Sequence, residues 1–262
     1  MESIKSRQNP KIKLARALQK RKKRDAEKLY LIEGSFHIGE ALVAGAPFEY
    51  LLMAPELINE GFAAKLASEI EAQGVATYQV SEDILSSLSG RENPRGLLAV
   101  AQQQYSQLSN LHAGNFAQGV ATVSPQDPGN LGSLLRTIDA AGASGLVTLD
   151  GGVDVYHPSS VRAGMGAHFW KSIAKATFDE FSSWAKQQGY AVYGSSTRGK
   201  GKYKEIAAKE PFVLLLGSER EGLSKDQLAL CDEVLGLPMR GRATSLNLAV
   251  AAGVLLYSLM GD

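Results

Sequence analysis

The C-terminal part of the chain decides the fold, in the stretches PFVLLLGSEREGLS (211–224), CDEVLGLPM (231–239) and RGRATSLNLAVAAGVLLY (240–257). The short apolar runs 212–216 and 234–237 predict buried strands, each ending at a glycine or proline turn. The run 246–257 is small and apolar on nearly every side, which predicts a helix packed in the core. Thr244 or Ser245 is its expected N-cap. These strand ends and this helix start predict a ligand pocket at the edge of an α/β sheet.

The preceding hundred residues repeat this alternation. Strands are predicted at 120–124, 146–149 and 190–194, and helices at 130–145, around Arg162 and at 178–188. The alternation predicts a mostly parallel sheet with helices on both faces. The helix 130–145 places four apolar residues on one stripe: Leu131, Leu134, Leu135 and Ile138. Arg136 then lies roughly opposite that stripe, and Asn130 lies at the N-terminal end of the helix.

The first hundred residues predict a separate small α/β sandwich. Strands are predicted at 29–32, 50–53, 75–80 and 97–101, with helices at 35–44 and 57–73, a helix after Ser81, and a turn at 93–96. The polar stretch 104–119 is typical of a linker. We therefore expect an N-terminal domain at 1–103, a linker at 104–119 and a second domain at 120–262.

Composition excludes several classes of protein. The 262 residues are 44% hydrophobic and 21% charged, as in soluble globular proteins. No apolar run approaches the roughly 18 residues of a membrane span, and no apolar segment follows the basic N-terminus as in a secretory signal. Cys231 is the only cysteine, which excludes an internal disulfide and favours the cytoplasm. Four histidines at unrelated spacings make a metal site unexpected.

The charge distribution predicts a polyanionic partner. Residues 1–28 contain eleven lysines and arginines against three acidic residues, a local net charge of +8 in a chain whose net charge is +1. The cations are Lys5, Arg7, Lys11, Lys13, Arg16, Lys20, Arg21, Lys22, Lys23, Arg24 and Lys28. Leu14, Ala17 and Leu18 have partial helical spacing, so this segment is predicted to be a basic helix. It is either a solvated surface helix or a contact for a phosphate backbone, and the charge asymmetry favours the second.

Common cofactor and nucleophile motifs are missing from the places where they would act. The first strand of the second domain is followed by PQDPGNLG (125–132), which lacks the glycines of a dinucleotide-binding turn. The sequence contains no phosphate-binding-loop lysine pattern and no G-x-S-x-G motif. The polar residues near strand ends and helix starts remain as candidates: Asn130, Arg136, Glu219, Ser245 and Asn247.

Three blocks give the second domain a specific resemblance: DPGNLGSLLRTIDAAG (127–142), LLLGSEREGLS (214–224) and LPMRGRATSLNLAVAAGVLLY (237–257). In their order and rough spacing they resemble the signature motifs of the SpoU/TrmH family of RNA ribose 2′-O-methyltransferases. HPSSVRAGMGAHF (157–169) is similar to the segment between the first two motifs. Residues 1–103 resemble the ribosomal-protein-like substrate-binding domain of rRNA-directed members.

This resemblance implies a deep trefoil knot, which general topology rules would not predict. It also implies S-adenosylmethionine as the cofactor and a homodimer formed through the knot helices. The cofactor loops carried over by position are 194–197, 217–222 and 237–246. The implied cofactor-binding residues are Gly194, Ser195, Ser196, Thr197, Gly217, Gly222, Leu237, Met239 and Leu246.

The resemblance assigns activation of the ribose 2′-hydroxyl to Arg136, with Asn130 beside it. Because a guanidinium is not normally deprotonated in proteins, Arg136 is expected to clamp the target phosphate and polarise the 2′-oxygen. Glu219, Ser245 and Asn247 are expected to position that arginine, the ribose or the knot loops. Taken singly, each of these residues also has a structural interpretation as a helix cap, a turn carboxylate or a solvated cation.

The sequence indicates the reaction more closely than it indicates the RNA substrate. The basic N-terminal segment favours RNA, with rRNA preferred and tRNA as the alternative, and a non-catalytic RNA-binding protein remains a further alternative. The expected RNA contacts are Lys11, Lys13, Arg16, Lys20, Arg21, Lys22, Lys23 and Arg162. Arg162 has a structural salt bridge as its alternative, and Lys200, Lys202 and Lys204 are either solvated or RNA contacts. Family members often carry glutamate where Thr244 stands, which leaves the choice of substrate open.

Overall fold

The computed structural model describes residues 1–58, 61–90, 94–197, 199, 201–203 and 205–261. The chain folds into two compact units. The first unit contains Met1–Gln103 together with Tyr156–Phe169, and the second contains Gln104–Val155 together with Trp170–Asp262. Lys200, Lys204 and the first residue of the predicted turn at 93–96 lie outside the described residues, as do two residues of the predicted helix 57–73.

The N-terminal part of the chain alternates short strands and helices. They are β1 (Glu2–Ile4), α1 (Pro10–Ala17), α2 (Arg21–Glu27), β2 (Leu29–Glu33), α3 (Ser35–Val43), β3 (Phe48–Met53), α4 (Gly61–Ala72), β4 (Thr77–Val80), α5 (Glu82–Ser86) and β5 (Leu97–Gln102). Among the described residues the strands form a mixed sheet of order β1-β4-β3-β5-β2, in which β5 runs antiparallel to both of its neighbours. The predicted strands and helices of this region are confirmed, with Ser81 as the N-cap of α5. Strand β1 was not predicted.

The predicted basic helix is two helices with a break between them. Asn9 caps α1 by accepting a hydrogen bond from the Lys11 amide at 2.9 Å, and Pro10 occupies the first helical position. Ile12, Ala15 and Leu18 are the buried residues of this segment, so the apolar stripe lies on a different set of positions from the predicted one. The chain leaves the helical path at Leu18–Lys20 and re-enters it at α2.

Arg24 explains this break. Its side chain is only 1% exposed although it belongs to the basic run, and its Nη1 donates hydrogen bonds to the carbonyl oxygens of Leu18 (2.8 Å) and Gln19 (2.9 Å). These carbonyls follow the end of α1 and lack helical partners of their own. A cation in the middle of the charge run therefore has a structural role in joining α1 to α2.

The second part of the chain contains the longer succession of elements. They are β6 (Gln118–Val123), α6 (Pro128–Ala140), β7 (Gly145–Leu149), α7 (Pro158–Ala163), α8 (Ala167–Trp170), β8 (Ser172–Ala176), α9 (Phe178–Gln188), β9 (Ala191–Ser195), β10 (Gly201–Lys202), β11 (Phe212–Leu216), α10 (Lys225–Leu230), β12 (Glu233–Gly236) and α11 (Leu248–Met260). The described strands form one sheet of order β10-β12-β9-β11-β6-β7-β8, and every pair in it is parallel. The prediction of a mostly parallel α/β sheet is confirmed. Strands β8 and β10 and helix α10 were not predicted.

The segment 104–119 is folded against the second unit. The Ser106 amide donates to the carbonyl oxygen of Ile173 at 2.8 Å, which adds a bridge beside β8. Leu111 and Phe116 are buried in the core of the unit, and Trp184 Nε1 donates to the Leu111 carbonyl oxygen at 3.0 Å. Because its apolar side chains are buried, this segment is an ordered part of the unit, in contrast to the polar linker expected from its composition.

The segment 156–169 groups with the first unit, although the predicted boundaries placed it in the second domain. Tyr156 is 1% exposed, and its ring lies 4.4 Å from the ring of Tyr30, centroid to centroid. Burial raises the pKa of Tyr30 well above its usual value, so this phenol is neutral and the contact between the two rings is an apolar one. The first unit therefore consists of two separate stretches of sequence.

Within the described part of the chain, no helix has the length and apolarity that crossing a membrane requires.

The buried position of Arg24 generates a stability prediction. Arg24→Gln removes two hydrogen bonds from a buried charged donor and leaves two carbonyl groups without their partner, so the free energy of unfolding should fall by about 3 kcal/mol. The matched control is Lys22→Gln, an exposed cation of the same helix, which should change it by less than about 0.5 kcal/mol. Urea unfolding monitored by circular dichroism gives both values, and equal effects would contradict the structural role of Arg24.

Candidate functional site

The predicted site residues follow strands that are neighbours in the second sheet. In the order β12-β9-β11-β6, all four strands are parallel, so their carboxyl ends lie on one edge. The loops that follow these strands begin at Leu237, Ser196, Gly217 and Ser124 respectively. Parallel sheets bind ligands at this edge, where helices begin and loops can vary without disturbing the core. The fold therefore brings the three predicted cofactor loops and the start of α6 to the same side of the sheet.

The N-terminus of α6 is fixed by Asp127. Its side chain is the N-cap and accepts a hydrogen bond from the Asn130 amide at 2.7 Å, while Pro128 occupies the first helical position. Asn130 is therefore a first-turn residue whose own side chain is not used for capping. Its side-chain amide can take part in contacts at the edge of the sheet.

Asn247 links the start of α11 to the start of α6. Its side chain caps α11 by accepting a hydrogen bond from the Ala249 amide at 2.9 Å. Its Nδ2 donates to the Oδ1 of Asn130 at 2.7 Å, across 117 positions of sequence. The expectation that Thr244 or Ser245 caps this helix is wrong, because the helix begins only at Leu248 and Asn247 holds the cap position.

Glu219 contacts the loop between β6 and α6. Its carboxylate accepts a hydrogen bond from the Gln126 amide at 3.0 Å, and Gln126 Nε2 donates to the Ser124 carbonyl oxygen at 2.7 Å. Glu219 is exposed and lies in the loop that follows β11, the neighbour of β6. This carboxylate therefore joins the second block of sequence to the residue just before the first block, and Asn247 joins the third block to the first.

Arg136 and Ser245 are presented to solvent. Arg136 lies on α6 two turns after its start, on a face away from the buried Leu134, Leu135 and Ile138. Neither Arg136 nor Ser245 makes a side-chain hydrogen bond or ion pair with any residue that the structure describes, and both are exposed. An exposed guanidinium without a partner among the described residues is available for an external anion.

An open pocket of about 520 Å³ lies beside α11. Its lining includes Leu237, Met239 and Leu246, three of the predicted cofactor residues, together with Tyr203, Pro238, Arg240, Gly241, Ala243 and Val254. The volume falls within the about 300–1,000 Å³ that is typical of small-molecule sites. Apolar side chains with a few polar groups are also the usual lining of such sites. The structure thus brings part of the predicted cofactor set together around one cavity.

The loop after β11 is a tight turn that requires glycine at both ends. A Cβ at Gly217 would lie 2.2 Å from the carbonyl carbon of Gly222, and Gly222 itself has a φ of +71°. The Gly222 amide donates to the Ser218 carbonyl oxygen at 3.0 Å. Only glycine at position 217 lets the two arms of this turn approach so closely. The turn presents backbone groups to the edge of the sheet without side chains in the way.

The end of β9 and the loop after it contain the remaining predicted cofactor residues, Gly194, Ser195, Ser196 and Thr197. Gly194 and Ser195 end the strand, and the Ser196 amide donates to the Leu235 carbonyl oxygen of β12 at 3.0 Å. A Cβ at Gly194 would lie 2.6 Å from the Sγ of Cys231. Burial raises the pKa of the Cys231 thiol to about 11, so this cysteine is protonated at neutral pH and is no nucleophile. Thr197 is exposed at the turn that follows.

In the first unit, α1 and α2 present the predicted RNA contacts differently. Lys13, Lys20 and Lys22 are exposed and make no side-chain hydrogen bond or ion pair with any described residue. Four others interact within the chain: Lys11 over the rings of Tyr50 and Tyr78 (both 4.9 Å), Arg16 with Ser87 Oγ (3.3 Å), Arg21 with Asp25 (3.3 Å) and Lys23 with Glu27 (2.5 Å). The first three lysines are therefore the most available to an external phosphate.

Arg162 is less accessible than these lysines. It lies on α7 in the first unit, where its Nη2 donates to Ser159 Oγ at 3.2 Å and its carbonyl oxygen lies 3.2 Å from His37 Nε2. Its Nη1 is buried and lacks a hydrogen-bond partner among the described residues. The structural salt bridge that was its alternative is not present within those residues either.

The structure adds three residues to the candidate site that the sequence motifs do not identify: Asp127, Gln126 and Tyr203. Asp127 had a readable signal, because Asp followed by Pro is a common helix start. No sequence pattern identifies Gln126 or Tyr203. Gln126 acts through its backbone amide, and Tyr203 lines a pocket formed by loops that are distant in the sequence. Within the described residues, no cluster of three or more His, Cys, Asp or Glu side chains could hold a metal ion.

Comparison with known proteins assigns the chain to a family. Residues 118–257 match the SpoU rRNA Methylase family, and residues 9–99 match the MRM3-like substrate binding domain. The chain is 32% identical, over 100% of both sequences, to the 23S rRNA (guanosine(2553)-2′-O)-methyltransferase RlmP of Bacillus subtilis. The chain belongs to the SpoU rRNA methylase family.

Two solved structures of this family resemble the fold over nearly the whole chain. The AdoMet-bound rRNA methyltransferase from Sinorhizobium meliloti has a TM-score of 0.89 and 33% identity, and the match covers 98% of this chain and 96% of that one. The SpoU methyltransferase AviRb from Streptomyces viridochromogenes, in complex with AdoMet, has a TM-score of 0.85 and 30% identity, covering 96% and 97%.

The link between Asn247 and Asn130 generates a prediction. Asn247→Asp keeps a good N-cap for α11, but it replaces the Nδ2 donor with an oxygen that repels Asn130 Oδ1. Asn247→Ala removes the cap as well. We expect the aspartate variant to keep its melting temperature while losing most methyl transfer, and the alanine variant to lose about 1 kcal/mol of stability in addition.

Thermal unfolding and a methyl-transfer assay separate the two roles of Asn247. Full activity in the aspartate variant would show that the contact between the two asparagines is not needed.

Proposed function

We propose that this protein transfers a methyl group from S-adenosylmethionine to the 2′-hydroxyl of a ribose in rRNA. The observation that carries the proposal is the 2.7 Å hydrogen bond from Asn247 to Asn130. It joins the first and third family motifs at the carboxyl edge of the sheet, where Glu219 of the second motif also contacts the loop before Asn130. Family membership and relatives that are rRNA 2′-O-methyltransferases support the same reaction.

The residues around the 520 Å³ pocket fit S-adenosylmethionine. The cavity is large enough for a ligand of that size, and its apolar lining at Leu237, Met239 and Leu246 suits an adenosine group. The tight turn of Gly217 and Gly222 offers backbone groups at the same edge, and the loop 194–197 follows the neighbouring strand. When bound, S-adenosylmethionine supplies an electrophilic methyl group. Two structural relatives have been solved with AdoMet bound.

Arg136 has the chemistry to act on the RNA. Its guanidinium is exposed and unpaired within the described residues, so it can bind the phosphate next to the target ribose through two parallel hydrogen bonds. The same charge stabilises the oxygen as the 2′-hydroxyl proton leaves. A guanidinium donates hydrogen bonds and has no acceptor, so Arg136 orients and polarises the hydroxyl and leaves proton acceptance to another group.

The other four motif residues hold the arrangement around this arginine. Asn130 and Asn247 join the starts of α6 and α11, and Glu219 holds the backbone of Gln126. Ser245 is exposed just before the cap of α11 and is available to the ribose or to the cofactor. Alignment of the hydroxyl with the methyl group is the main task of such a site, because a sulfonium methyl is already a good electrophile.

The N-terminal unit is proposed to hold the RNA. It matches a substrate-binding domain, and its lysines and arginines on α1 and α2 provide a sequence-independent affinity for phosphates. The domain roles follow from this division: residues 1–103 bind the substrate and residues 120–262 carry the reaction. The named functions of RlmP and of the Streptomyces viridochromogenes relative, a 23S rRNA (uridine(2479)-2′-O)-methyltransferase, favour rRNA over tRNA.

A trefoil knot and a homodimer are part of the same proposal. The strand order supports a knot, since the chain passes from β11 beyond β9 to β12 and then returns to pack α11 on α6. Val250, Val254 and Tyr257 support the dimer, because this stripe of α11 is 52%, 40% and 60% exposed and large apolar stripes are usually covered. Action on rRNA would place the protein in the cytoplasm.

The role of Arg136 is tested by Arg136→Ala. Loss of the guanidinium should lower methyl transfer to rRNA about a thousandfold, because a charge that acts on the developing oxyanion is removed. S-adenosylmethionine affinity should stay within about twofold of wild type, since Arg136 does not line the pocket. Transfer of labelled methyl to size-fractionated RNA and equilibrium binding of the cofactor give the two values.

The matched control is Lys186→Ala, which removes an exposed cation from α9 and should leave both values unchanged. Loss of cofactor binding in Arg136→Ala would contradict its assignment to the RNA side. If the wild-type protein labelled tRNA and not rRNA, the proposed reaction would stand and the proposed substrate would be wrong.

The three exposed lysines Lys13, Lys20 and Lys22 are tested through salt dependence. Their joint change to glutamine should weaken RNA binding and reduce the slope of log affinity against log salt by roughly 2–3, about 0.7–0.9 for each phosphate that is no longer neutralised. A control variant changes Lys65, Lys186 and Lys225 to glutamine, which removes the same charge from exposed positions elsewhere and should leave the slope unchanged. Equal slopes in the two variants would rule out phosphate binding at α1 and α2.

A further inference from the structure

The turn between β6 and α6, residues 124–127, is held from two sides. On one side the Glu219 carboxylate accepts from the Gln126 amide. On the other side lies the loop 150–153, which follows β7, the other neighbour of β6 in the sheet. The turn leads directly into Asp127 and the first turn of α6, so its position sets that of Asn130 and the helix of Arg136.

Three hydrogen bonds tie the turn to the loop 150–153 and the end of β7. The Ser124 amide donates to the Leu149 carbonyl oxygen at 2.9 Å, and Ser124 Oγ donates to the Asp150 carbonyl oxygen at 3.1 Å. The Val153 amide donates to the Pro125 carbonyl oxygen at 2.8 Å. Pro125 is buried and, as a proline, has no amide proton to donate. Its position therefore depends on the hydrogen bonds made by its carbonyl oxygen and by Ser124.

The backbone on both sides of this contact is held in an unusual conformation. Ser124 has a φ of +41° and Asp150 a φ of +54°, a region that residues other than glycine rarely adopt. Asp150 is further fixed by its Oδ1, which accepts from the Phe178 amide at 2.8 Å. Strain of this kind persists only where the surroundings enforce it, and it clusters at functional sites.

Gly152 lies against Pro125 of the turn and leaves no room there for a side chain. A Cβ at this position would lie 2.5 Å from the Pro125 carbonyl oxygen and 2.7 Å from both its nitrogen and its Cδ. The neighbouring Gly151 has almost the same φ, +83° against +88°, yet a Cβ there would meet no atom within 4 Å. The two glycines therefore share a conformational requirement and differ in whether they touch the turn.

We propose that Gly152 is a positioning residue for methyl transfer, which acts by letting the loop 150–153 seat Pro125 and thereby the start of α6. The inference rests on the proposed function, because it assumes that Asn130 and Arg136 act on the RNA. In this role Gly152 acts through the turn and not on the reacting atoms. It sets where the 124–127 turn lies relative to Glu219, and a side chain at position 152 would push Pro125 away from its place.

The expected effect is on the rate and not on cofactor binding. Distances below 3.0 Å from a new Cβ to backbone atoms force a shift, and misplacement of catalytic groups by about 1 Å can lower the rate about a hundredfold. The pocket residues Leu237, Met239 and Leu246 lie in the loops after β12 and before α11 and not in the 124–127 turn, so cofactor binding should change less than the rate.

The test compares Gly152→Ala with Gly151→Ala in the full chain. Both substitutions add a methyl group at a positive φ, and Gly152→Ala also forces a shift of Pro125, so we expect it to lose more melting temperature than Gly151→Ala. Rates are therefore measured at a temperature at which both variants are folded. Gly152→Ala should lower kcat for methyl transfer to rRNA about a hundredfold with little change in KM for S-adenosylmethionine, whereas Gly151→Ala should keep kcat within about threefold of wild type. Equal kcat in the two variants would overturn the proposal.

A second variant covers the case in which Gly152→Ala does not fold. Ser124→Ala removes the Oγ bond to Asp150 and leaves the backbone unchanged, so it should fold and lower kcat by about three- to tenfold. Hydrogen exchange gives a readout that does not depend on the reaction: the Gln126 and Val153 amides should exchange faster in Gly152→Ala and in Ser124→Ala than in Gly151→Ala. Unchanged exchange and kcat in Ser124→Ala would also overturn it.

The two proposals fail in distinguishable ways. If the wild-type protein transferred no methyl group to rRNA while the amides of Gln126 and Val153 responded as expected, the proposed function would fail and the close approach at Gly152 would stand as a structural feature only. If the wild-type protein transferred methyl groups normally and the two glycine variants had equal rates, the proposed function would stand and the positioning role of Gly152 would be refuted.

Discussion

Parallel pairing of β11 with a strand on each side is the constraint on which the site depends. Phe212–Leu216 pairs in register with β9 on one side and with β6 on the other, and all five residues are buried. Burial of such side chains stabilises the sheet by about 1.5–3 kcal/mol for each residue. Because all three strands point the same way, the loops of Ser196, Gly217 and Ser124 emerge side by side. Side chains and backbone groups from these neighbouring loops can therefore interact directly at the edge of the sheet.

The neighbouring loops are joined in two ways. Polar side chains link them, as Asn247 does with Asn130 and Glu219 with the Gln126 amide. Glycines let backbones approach, as Gly217 does with Gly222 and Gly152 with Pro125. The exposed guanidinium of Arg136 is left without an internal partner among the described residues. The contacts between loops hold the backbone of the site in place, while Arg136 stays accessible to a ligand. This suits a reaction whose rate depends on alignment of the hydroxyl with the methyl group.

The sequence predicts the buried elements well and the connections between them less well. Helix α9 and strand β11 fall at the predicted residues because their apolar patterns are regular. The local pattern places the cap of α11 at Thr244 or Ser245, since hydroxyl residues are common caps, but the contact of Asn247 with Asn130 lies beyond any local pattern. Arg24 belongs to the run of cations that the sequence assigns to solvent or to RNA, and no periodicity reveals that its side chain turns inward. The grouping of 156–169 with the first unit arises from long-range packing around Tyr30 and Tyr156, which only the fold displays.

The nature of the methylated product shows whether this site methylates a ribose hydroxyl of rRNA. Wild-type protein would be incubated with rRNA and S-adenosylmethionine carrying an isotopically labelled methyl group, and the RNA digested to nucleosides for mass spectrometry. We expect the label on the sugar of a single 2′-O-methylated nucleoside from a large rRNA. Label on a base, or none on rRNA under conditions where the protein binds the cofactor, would contradict the proposed function.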